Sequence, residues 1–273
     1  MDEIPIAMEE KKMETEKRDK IAEGVSSSGV YKTPFSFIIL LEINLAAIPV
    51  ILVNLWYYSG LYYLITGIKI FIFTPEANWW FWLLLPLNIY GNIFLFFLTT
   101  TLISLLFFKI LNKMHPPQEG RFKKGSRDWK YMHRRFWTAY FPIWLARALP
   151  FPWADIIVYR LFGVKIGKSV VAYEGYIDPL LIEIGDSTMT SLHICIFSHL
   201  LYHDEIYIRK VTVGNQCVIG PHSILSPGTI IEDGAVLGAT SFTKPNQLLK
   251  GGLIWVGSPA TTSFPISDVE NDS

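Results

Sequence analysis

Two histidines and two carboxylates lie within a span of seven residues, at His199, His203, Asp204 and Glu205. An imidazole titrates near neutral pH, which makes histidine the usual general base in proteins. A carboxylate beside it can hold the ring in the tautomer that accepts a proton from a substrate. This segment therefore has the residue types needed to deprotonate a hydroxyl or an amine.

The two cysteines, Cys195 and Cys217, are too few for a disulfide framework and lack the spacing of a zinc site. They are typical of a reducing compartment, and we interpret them as small core residues. His193 is interpreted as structural, and His222 as an exposed histidine for which a ligand or substrate role is the alternative. We expect no metal.

The elements that would position these residues follow a six-residue repeat. Five consecutive hexads between residues 213 and 242 begin with Val, Ile or Leu and carry a small residue at position five. Neither a helix of 3.6 residues per turn nor a strand of period two produces this pattern. It predicts a triangular prism in which each hexad forms one strand and one corner. Positions one and five should point inward, with the tight turn at positions two and three.

Looser hexads begin at Ile166 and Ile184, which are eighteen residues, or one predicted coil, apart. From Ile184 to Val213 the spacing is 29 residues, so eleven residues beyond one coil must leave the prism. We predict that they form a loop near Ser198 to Lys210, the region that holds the histidines and carboxylates.

This repeat resembles the left-handed parallel β-helix of hexapeptide-repeat acyltransferases, over residues 163–260. The closing sequence Leu237-Gly-Ala-Thr-Ser-Phe-Thr-Lys244, followed by Val256-Gly-Ser-Pro-Ala260, is also similar to the end of that family's repeat. In the family the catalytic histidine lies on or beside the loop that leaves the prism, and the matching position is His199. His203 stays open as the base, and Asp204 or Glu205 as the carboxylate that orients the imidazole.

The resemblance also implies a donor and an assembly. The later coils of the resembling enzymes bind coenzyme A along the edge between neighbouring prisms, and the matching positions are Gly220, Gly238, Ala239 and Lys244. Acyl-CoA, expected to be acetyl-CoA, is therefore the implied co-substrate, with an acyl carrier protein as the alternative donor. A homotrimer is implied because one prism forms only half of each cleft.

A narrower resemblance concerns the order of the segments. Apolar helices, a basic and aromatic segment, the approach Leu161–Gly167 and the loop Ser198–Glu205 follow one another along the chain. This order is similar to the membrane-bound carboxy-terminal part of ε-poly-lysine-synthetase-like proteins. Those proteins carry an adenylation domain and a carrier domain that this sequence lacks, so we expect no donor tethered to the same chain.

Residues 35–111 are apolar enough to enter a bilayer, with only four formally charged residues. A hydrocarbon core of about 30 Å needs roughly 20 apolar residues in a helix. Two transmembrane helices are therefore predicted, and residues 61–73 are interpreted as an extension or re-entrant piece, with a third span as the alternative. Glu42 is expected to lie shallow enough to meet headgroups or the basic segment; a functional intramembrane carboxylate is the alternative.

Basic residues follow the second predicted span, whereas the connection between the spans offers only Lys69. The positive-inside rule therefore places both termini and the β-helix domain in the cytosol. Residues 112–162 mix basic and aromatic side chains and predict an interfacial connector in the headgroup layer, with ordinary helices packed on the prism as an equal alternative. Residues 1–34 are expected to be a disordered cytosolic tail, and 261–273 a flexible C-terminal tail.

Lysine and arginine number 24, as do aspartate and glutamate, so the formal net charge is zero. This balance argues against a nucleic-acid binder, and the hydrophobic content of 51% excludes a disordered chain. We predict an integral membrane acyltransferase that contacts membrane lipid and modifies an unknown membrane-proximal acceptor. The alternatives are a non-catalytic trimeric scaffold and a γ-carbonic-anhydrase-like zinc protein, whose paired metal histidines would fall at Pro221 and Ser226.

Overall fold

The computed structural model describes residues 35–151, 153–172 and 174–267. A helical part comes first along the chain, and a domain of short strands follows it. The predicted tail at residues 1–34 and the last six residues of the predicted C-terminal tail lie outside the described residues.

Two long apolar helices pack against each other as a hairpin. Helix α1 comprises Phe35–Thr66, and helix α2 comprises Leu85–Met114, directly after a 3-10 helix at Trp79–Leu84. At a rise of about 1.5 Å per residue, each long helix exceeds a hydrocarbon core of about 30 Å. By length and composition, both could cross a membrane. Residues 61–66 extend α1 and the helix ends at Thr66, so the described residues contain two candidate spans.

The predicted connector contains strand β1 (Gly120–Lys123), helix α3 (Arg127–Ala148) and helix α4 (Ala154–Leu161). Helix α3 begins after Ser126, whose hydroxyl accepts a hydrogen bond from the backbone N–H of Trp129 at 3.2 Å. Helix α3 packs against both helices of the hairpin. The connector therefore joins the apolar hairpin to the strand domain.

The strand domain consists of three parallel sheets that the chain visits in turn. The first sheet contains β2 (Lys165–Ile166), β5 (Ile182–Ile184), β10 (Val211–Val213), β13 (Ile230–Ile231) and β15 (Leu248–Leu249). The second contains β3 (Val171–Ala172), β6 (Met189–Thr190), β11 (Val218–Ile219), β14 (Val236–Leu237) and β16 (Leu253–Gly257). The third contains β4 (Tyr176–Ile177), β7 (Cys195–Ile196) and β12 (Ile224–Leu225).

Successive coils pair in register at the predicted spacing, for example Thr212 with Ile230 and Val218 with Val236. The interior also follows the repeat: Leu225 at position one and Cys217 at position five are completely buried. The corner differs from the prediction because the left-handed backbone falls at position four, as at Gln216 (φ 54°), rather than at positions two and three.

Gly220, at position two of its hexad, is small for a different reason. A Cβ added to Gly220 would lie 2.5 Å from the backbone nitrogen of Ala239 in the next coil. That separation is shorter than any normal van der Waals contact. Glycine at 220 is therefore required by the close stacking of coils rather than by the turn.

The predicted insertion leaves the prism where expected, and it forms a β-hairpin rather than an irregular loop. Its strands are β8 (His199–Tyr202) and β9 (Glu205–Ile208), and β1 of the connector pairs with the outer edge of β9. Residues 261–265, expected to belong to a flexible tail, form most of β17 (Ala260–Pro265), antiparallel to β16. Backbone pairing to the last coil orders this segment.

Candidate active site

His199 is the first residue of the inserted hairpin, at the point where the chain leaves the prism. Its Nδ1 lies 2.6 Å from Oδ2 of Asp178. Asp178 directly follows strand β4 in the neighbouring coil, where Ile177 pairs with Ile196. This register brings Ser198 and His199, the second and third residues after β7, next to the aspartate.

Three further hydrogen bonds hold the Asp178 carboxylate, which is completely buried. Oδ2 accepts from the backbone N–H and the hydroxyl of Ser198, at 2.8 and 3.2 Å. Oδ1 accepts from the hydroxyl of Tyr176 at 3.0 Å. A buried carboxylate needs such partners because its charge is otherwise costly to bury. Asp178 therefore presents its oxygens to the imidazole in a fixed position.

A tyrosine of the connector supports the coil that carries Asp178. The hydroxyl of Tyr159, on α4, donates to the carbonyl of Gly175 at 2.9 Å and accepts from the backbone N–H of Ile177 at 3.1 Å. Burial raises the pKa of Tyr159 above its ordinary value, so the hydroxyl keeps its proton at neutral pH. The connector and the strand before Asp178 are thereby fixed to each other.

Aromatic rings surround His199, whose side chain is 17% exposed. The rings of Phe136, on α3, and Phe197 lie edge-on to it, with centroids 5.7 and 6.4 Å away. Burial lowers the pKa of His199, but the charge of Asp178 and the hydrogen bond to it together raise the pKa above its ordinary value. Because a carboxylate only accepts, Nδ1 carries the proton and Nε2 is the atom that can accept one.

The other predicted residues of this segment lie away from His199. His203 and Asp204 occupy the tip of the hairpin, and Glu205 begins its return strand opposite Tyr202. Asp204 forms an ion pair with Lys124 at 3.7 Å. A strand rises about 3.3 Å per residue, so the four-residue β8 separates this tip from His199. The carboxylate that contacts the imidazole is thus Asp178, and not Asp204 or Glu205 as expected.

Comparison with known proteins gives several relatives, although no protein-family model matches the chain. Over 130 residues, the chain is 22% identical to a delta-poly-L-ornithine synthetase of Acinetobacter baumannii, covering 47% of this chain and 9% of that protein. Over 127 residues, it is 26% identical to a galactoside O-acetyltransferase of Escherichia coli, covering 42% of this chain and 62% of that protein. Over these residues the chain is therefore similar in sequence to acetyltransferases.

The predicted resemblance is confirmed by these relatives, and the chain spans less than two thirds of the length of either of them. A solved galactoside acetyltransferase in complex with coenzyme A superposes with a TM-score of 0.40 at 18% identity, over 55% of this chain and 88% of that one.

The positions matched to coenzyme A binding lie in the later coils. Gly220 and Gly238 occupy equivalent places in successive coils, and Ala239 lies against Gly220. The backbone N–H groups of both glycines already donate to the next coil, to Leu237 at 2.7 Å and to Trp255 at 2.8 Å. Lys244 is exposed and lies in the following corner. An added Cβ would meet backbone at Gly220 but the Val256 side chain at Gly238, so only Gly220 is required by the backbone of the next coil.

Neither of the positions matched to the zinc histidines of γ-carbonic anhydrases is a histidine, since they are Pro221 and Ser226. His193 and His222 do lie at neighbouring corners, with ring centroids 5.2 Å apart. Among the described residues, no group of three or more His, Cys, Asp or Glu is arranged to hold a metal ion.

The sequence alone did not point to Asp178, Tyr176 or Phe136. The signal for Asp178 was its place directly after an apolar pair in the coil that precedes the insertion. The signal for Phe136 was weaker, because the connector is rich in aromatic residues and only the fold selects the ring that reaches His199. His133, also on α3, has a pKa lowered chiefly by burial and further by the nearby His199.

Proposed function

We propose that the protein is a membrane-anchored acyltransferase that moves an acyl group, expected to be acetyl, from coenzyme A to a hydroxyl or amine. The observation that carries this proposal is the 2.6 Å contact between Nδ1 of His199 and the buried Asp178 carboxylate. It lies where the hairpin leaves the coils of a chain related to acetyltransferases. His199 acts as the general base and Asp178 as the residue that positions it.

The reaction follows from the tautomer that Asp178 holds. Nε2 of His199 takes the proton of the acceptor hydroxyl or amine as the oxygen or nitrogen attacks the thioester carbonyl carbon. The resulting tetrahedral intermediate collapses, the carbon–sulfur bond breaks, and the departing thiolate of coenzyme A receives the proton from Nε2. The base is thereby regenerated, and no other co-reactant is consumed.

The acceptor is proposed to be membrane-proximal because one helix contacts both regions. Helix α3 packs on α1 and α2, and Phe35 of α1 stacks on Trp137 with ring centroids 4.7 Å apart. The same helix places Phe136 against His199. Both termini and the catalytic domain are proposed to be cytosolic, where acyl-CoA is available, and the active unit is proposed to be a homotrimer.

The test is an assay of acetyl transfer by the full chain in nanodiscs or detergent. Radiolabelled acetyl-CoA is incubated with the protein and a membrane lipid extract, and both labelled product and released coenzyme A thiol are measured. His199→Ala is expected to lower the rate by about 10²- to 10⁴-fold, the usual contribution of a positioned base.

His203→Ala is the matched control, because it removes the other histidine of the same hairpin at a distance from Asp178. It should retain the wild-type rate. If His199→Ala transfers acetyl as fast as the wild type, the catalytic assignment fails and the scaffold alternative gains support. If only His203→Ala loses activity, the base has been assigned to the wrong histidine.

A further inference from the structure

Glu42 is a buried carboxylate that the proposed reaction does not use. It lies on α1 with a side chain 1% exposed. Among the described residues, neither of its oxygens accepts a hydrogen bond, and the Ser104 hydroxyl lies beside it without reaching hydrogen-bond geometry. An unpartnered carboxylate in an apolar environment is costly. Protonation would remove the charge but would leave both oxygens without a hydrogen bond, so a donor placed here would stabilise Glu42.

A cavity of about 260 Å³ lies next to Glu42, whose two carboxylate oxygens are buried just beneath its wall. Its walls are apolar side chains near the ends of α1 and α2 that meet the connector, and Glu42 and Thr138 are polar groups on its lining. An apolar cavity of about 150 Å³ is already enough to bind benzene. This cavity can therefore hold a segment of hydrocarbon chain together with a small polar group.

The cavity opens towards the outer surface of the helical hairpin. Phe37, Leu41 and Ile110 belong to its lining and are 64%, 38% and 45% exposed. These side chains are on the surface that faces lipid if α1 and α2 cross a membrane. A hydrocarbon chain can therefore pass from the bilayer into the cavity without crossing a polar surface.

Arg134 supplies a positive charge on the same lining. It is exposed, contacts the face of the Tyr131 ring at 5.4 Å, and has no acidic partner among the described residues. Guanidinium groups bind phosphate through paired hydrogen bonds. The lining thus combines an anion-binding group and an apolar wall, and a hydrogen-bond acceptor lies directly behind that wall, where a small turn of the Glu42 side chain would bring it into the cavity.

We propose that this cavity binds one phospholipid of the bilayer whose headgroup carries a hydrogen-bond donor. The acyl chain lies along Phe37, Leu41 and Ile110, the phosphate contacts Arg134, and the ammonium or hydroxyl of the headgroup donates to Glu42. Chain, phosphate and donor each meet a complementary group. The proposal does not depend on acetyl transfer.

The experiment measures which lipid stays bound to the full chain. Protein in detergent is incubated with equal amounts of phosphatidylethanolamine, phosphatidylglycerol and phosphatidylcholine, and bound lipid is counted by native mass spectrometry. Phosphatidylethanolamine and phosphatidylcholine have the same net charge, but only the former donates a hydrogen bond. A bond to a charged group predicts about a tenfold preference for phosphatidylethanolamine. The phosphatidylglycerol arm shows whether a hydroxyl serves as well as an ammonium.

Glu42→Leu should reduce this preference to about one, and the nearly isosteric Glu42→Gln should reduce it severalfold if the leucine variant does not fold. Arg134→Gln, at an exposed position, should weaken retention of all three lipids and leave the preference unchanged. The matched controls are Glu76→Gln and Lys130→Gln, which remove exposed charges outside the cavity lining. Both should behave as the wild type.

Three results would overturn the proposal. The wild type retains the donor and non-donor lipids equally, or Glu42→Leu keeps the full preference. Alternatively, lipid binds only after residues 1–34 are removed, which would make that segment of the chain the occupant of the cavity.

Discussion

Asp178 and Glu42 are the two least exposed carboxylates described in the structure, at 0% and 1%, and their surroundings are opposite. In the strand domain, Asp178 contacts four donor groups, from Ser198, Tyr176 and His199. In the helical hairpin, Glu42 accepts no hydrogen bond from any described residue. The fold supplies hydrogen-bond donors to Asp178, whereas no described residue supplies one to Glu42.

The difference has its origin in the backbone of the two regions. Where the β-hairpin leaves the parallel coils, backbone N–H groups are no longer used in pairing between coils. One of them, the N–H of Ser198, donates to Asp178. In long helices the backbone N–H donors are used within each helix, so a buried side-chain acceptor can be satisfied only by other side chains or by a ligand. A buried acid without a hydrogen bond is therefore stronger evidence for a bound ligand in the helical hairpin than in the strand domain.

The substitution of Asp178 should have the largest effect on acetyl transfer. Asp178→Asn keeps the shape but supplies an amide where the imidazole needs an acceptor, which favours the wrong tautomer. In a serine-protease triad, the same exchange lowers the rate about 10⁴-fold. We expect kcat/KM for acetyl transfer to fall by about 10³- to 10⁴-fold. Steady-state assay of coenzyme A release checks this.

Asp204→Asn is the matched control, because it alters the carboxylate that pairs with Lys124 at the hairpin tip. It should stay within about twofold of the wild-type rate, as expected of an exposed ion pair. Equal losses in the two variants would show that the hairpin as a whole, rather than the Asp178 contact, supports the activity.

The next largest effect is a difference in stability between variants of the two carboxylates. Asp178→Leu leaves the donors of Ser198, Tyr176 and His199 buried without an acceptor, at a cost of about 2 to 4 kcal/mol in the free energy of unfolding. Glu42→Leu removes an unpartnered group in an apolar environment and should be neutral or stabilising. Apparent unfolding temperatures in phospholipid-free detergent test this. An equal decrease for both variants would mean that Glu42 has a partner inside the protein.

The third effect is on the pH dependence of kcat/KM, which should change about tenfold per pH unit at acidic pH. The base must be neutral to accept a proton, so kcat/KM falls as the pH decreases through the pKa of His199, tenfold for each pH unit. Because Asp178 raises that pKa, the decline should begin above the ordinary value near 6.5. In Asp178→Asn only burial acts on the ring, so the residual activity should decline at a lower pH. If activity declines at the same pH in the wild type and in Asp178→Asn, the pairing of His199 with Asp178 is contradicted.

The prism was predictable because it is periodic. Positions one and five must be apolar or small in every coil, so five hexads were enough to predict the parallel coils, their length and the exit point of the insertion. The hairpin conformation and the ordered β17 were not predictable, because strand pairing with β1 and β16 supplies the order there. Neither interaction leaves a pattern in the local sequence.

The position of His199 at the start of the insertion was predictable, and the carboxylate that contacts it was not. His199 lies where the resemblance and the insertion coincide, whereas Asp178 reaches it from the previous coil through strand register. Val171 pairs with Met189, eighteen residues later, but Tyr176 pairs with Cys195, nineteen residues later. One additional residue in this coil therefore shifts the alignment of the site relative to the regular repeat. Asp204 and Glu205 were preferred because they are close in sequence, but the direction of β8 takes them away.

The smallest expected effect tests whether the four donors of Asp178 act together. Tyr176→Phe removes only the hydrogen bond to Oδ1, at 3.0 Å, and leaves the contact between Oδ2 and His199 intact. A single hydrogen bond contributes about 0.5 to 1.5 kcal/mol, so kcat/KM should fall about two- to tenfold, with the decline at acidic pH retained. Tyr202→Phe, at an exposed residue of β8, is the control. A loss as large as that of Asp178→Asn would show that Tyr176 does more than hold the carboxylate, and that the acceptor or the intermediate contacts its hydroxyl.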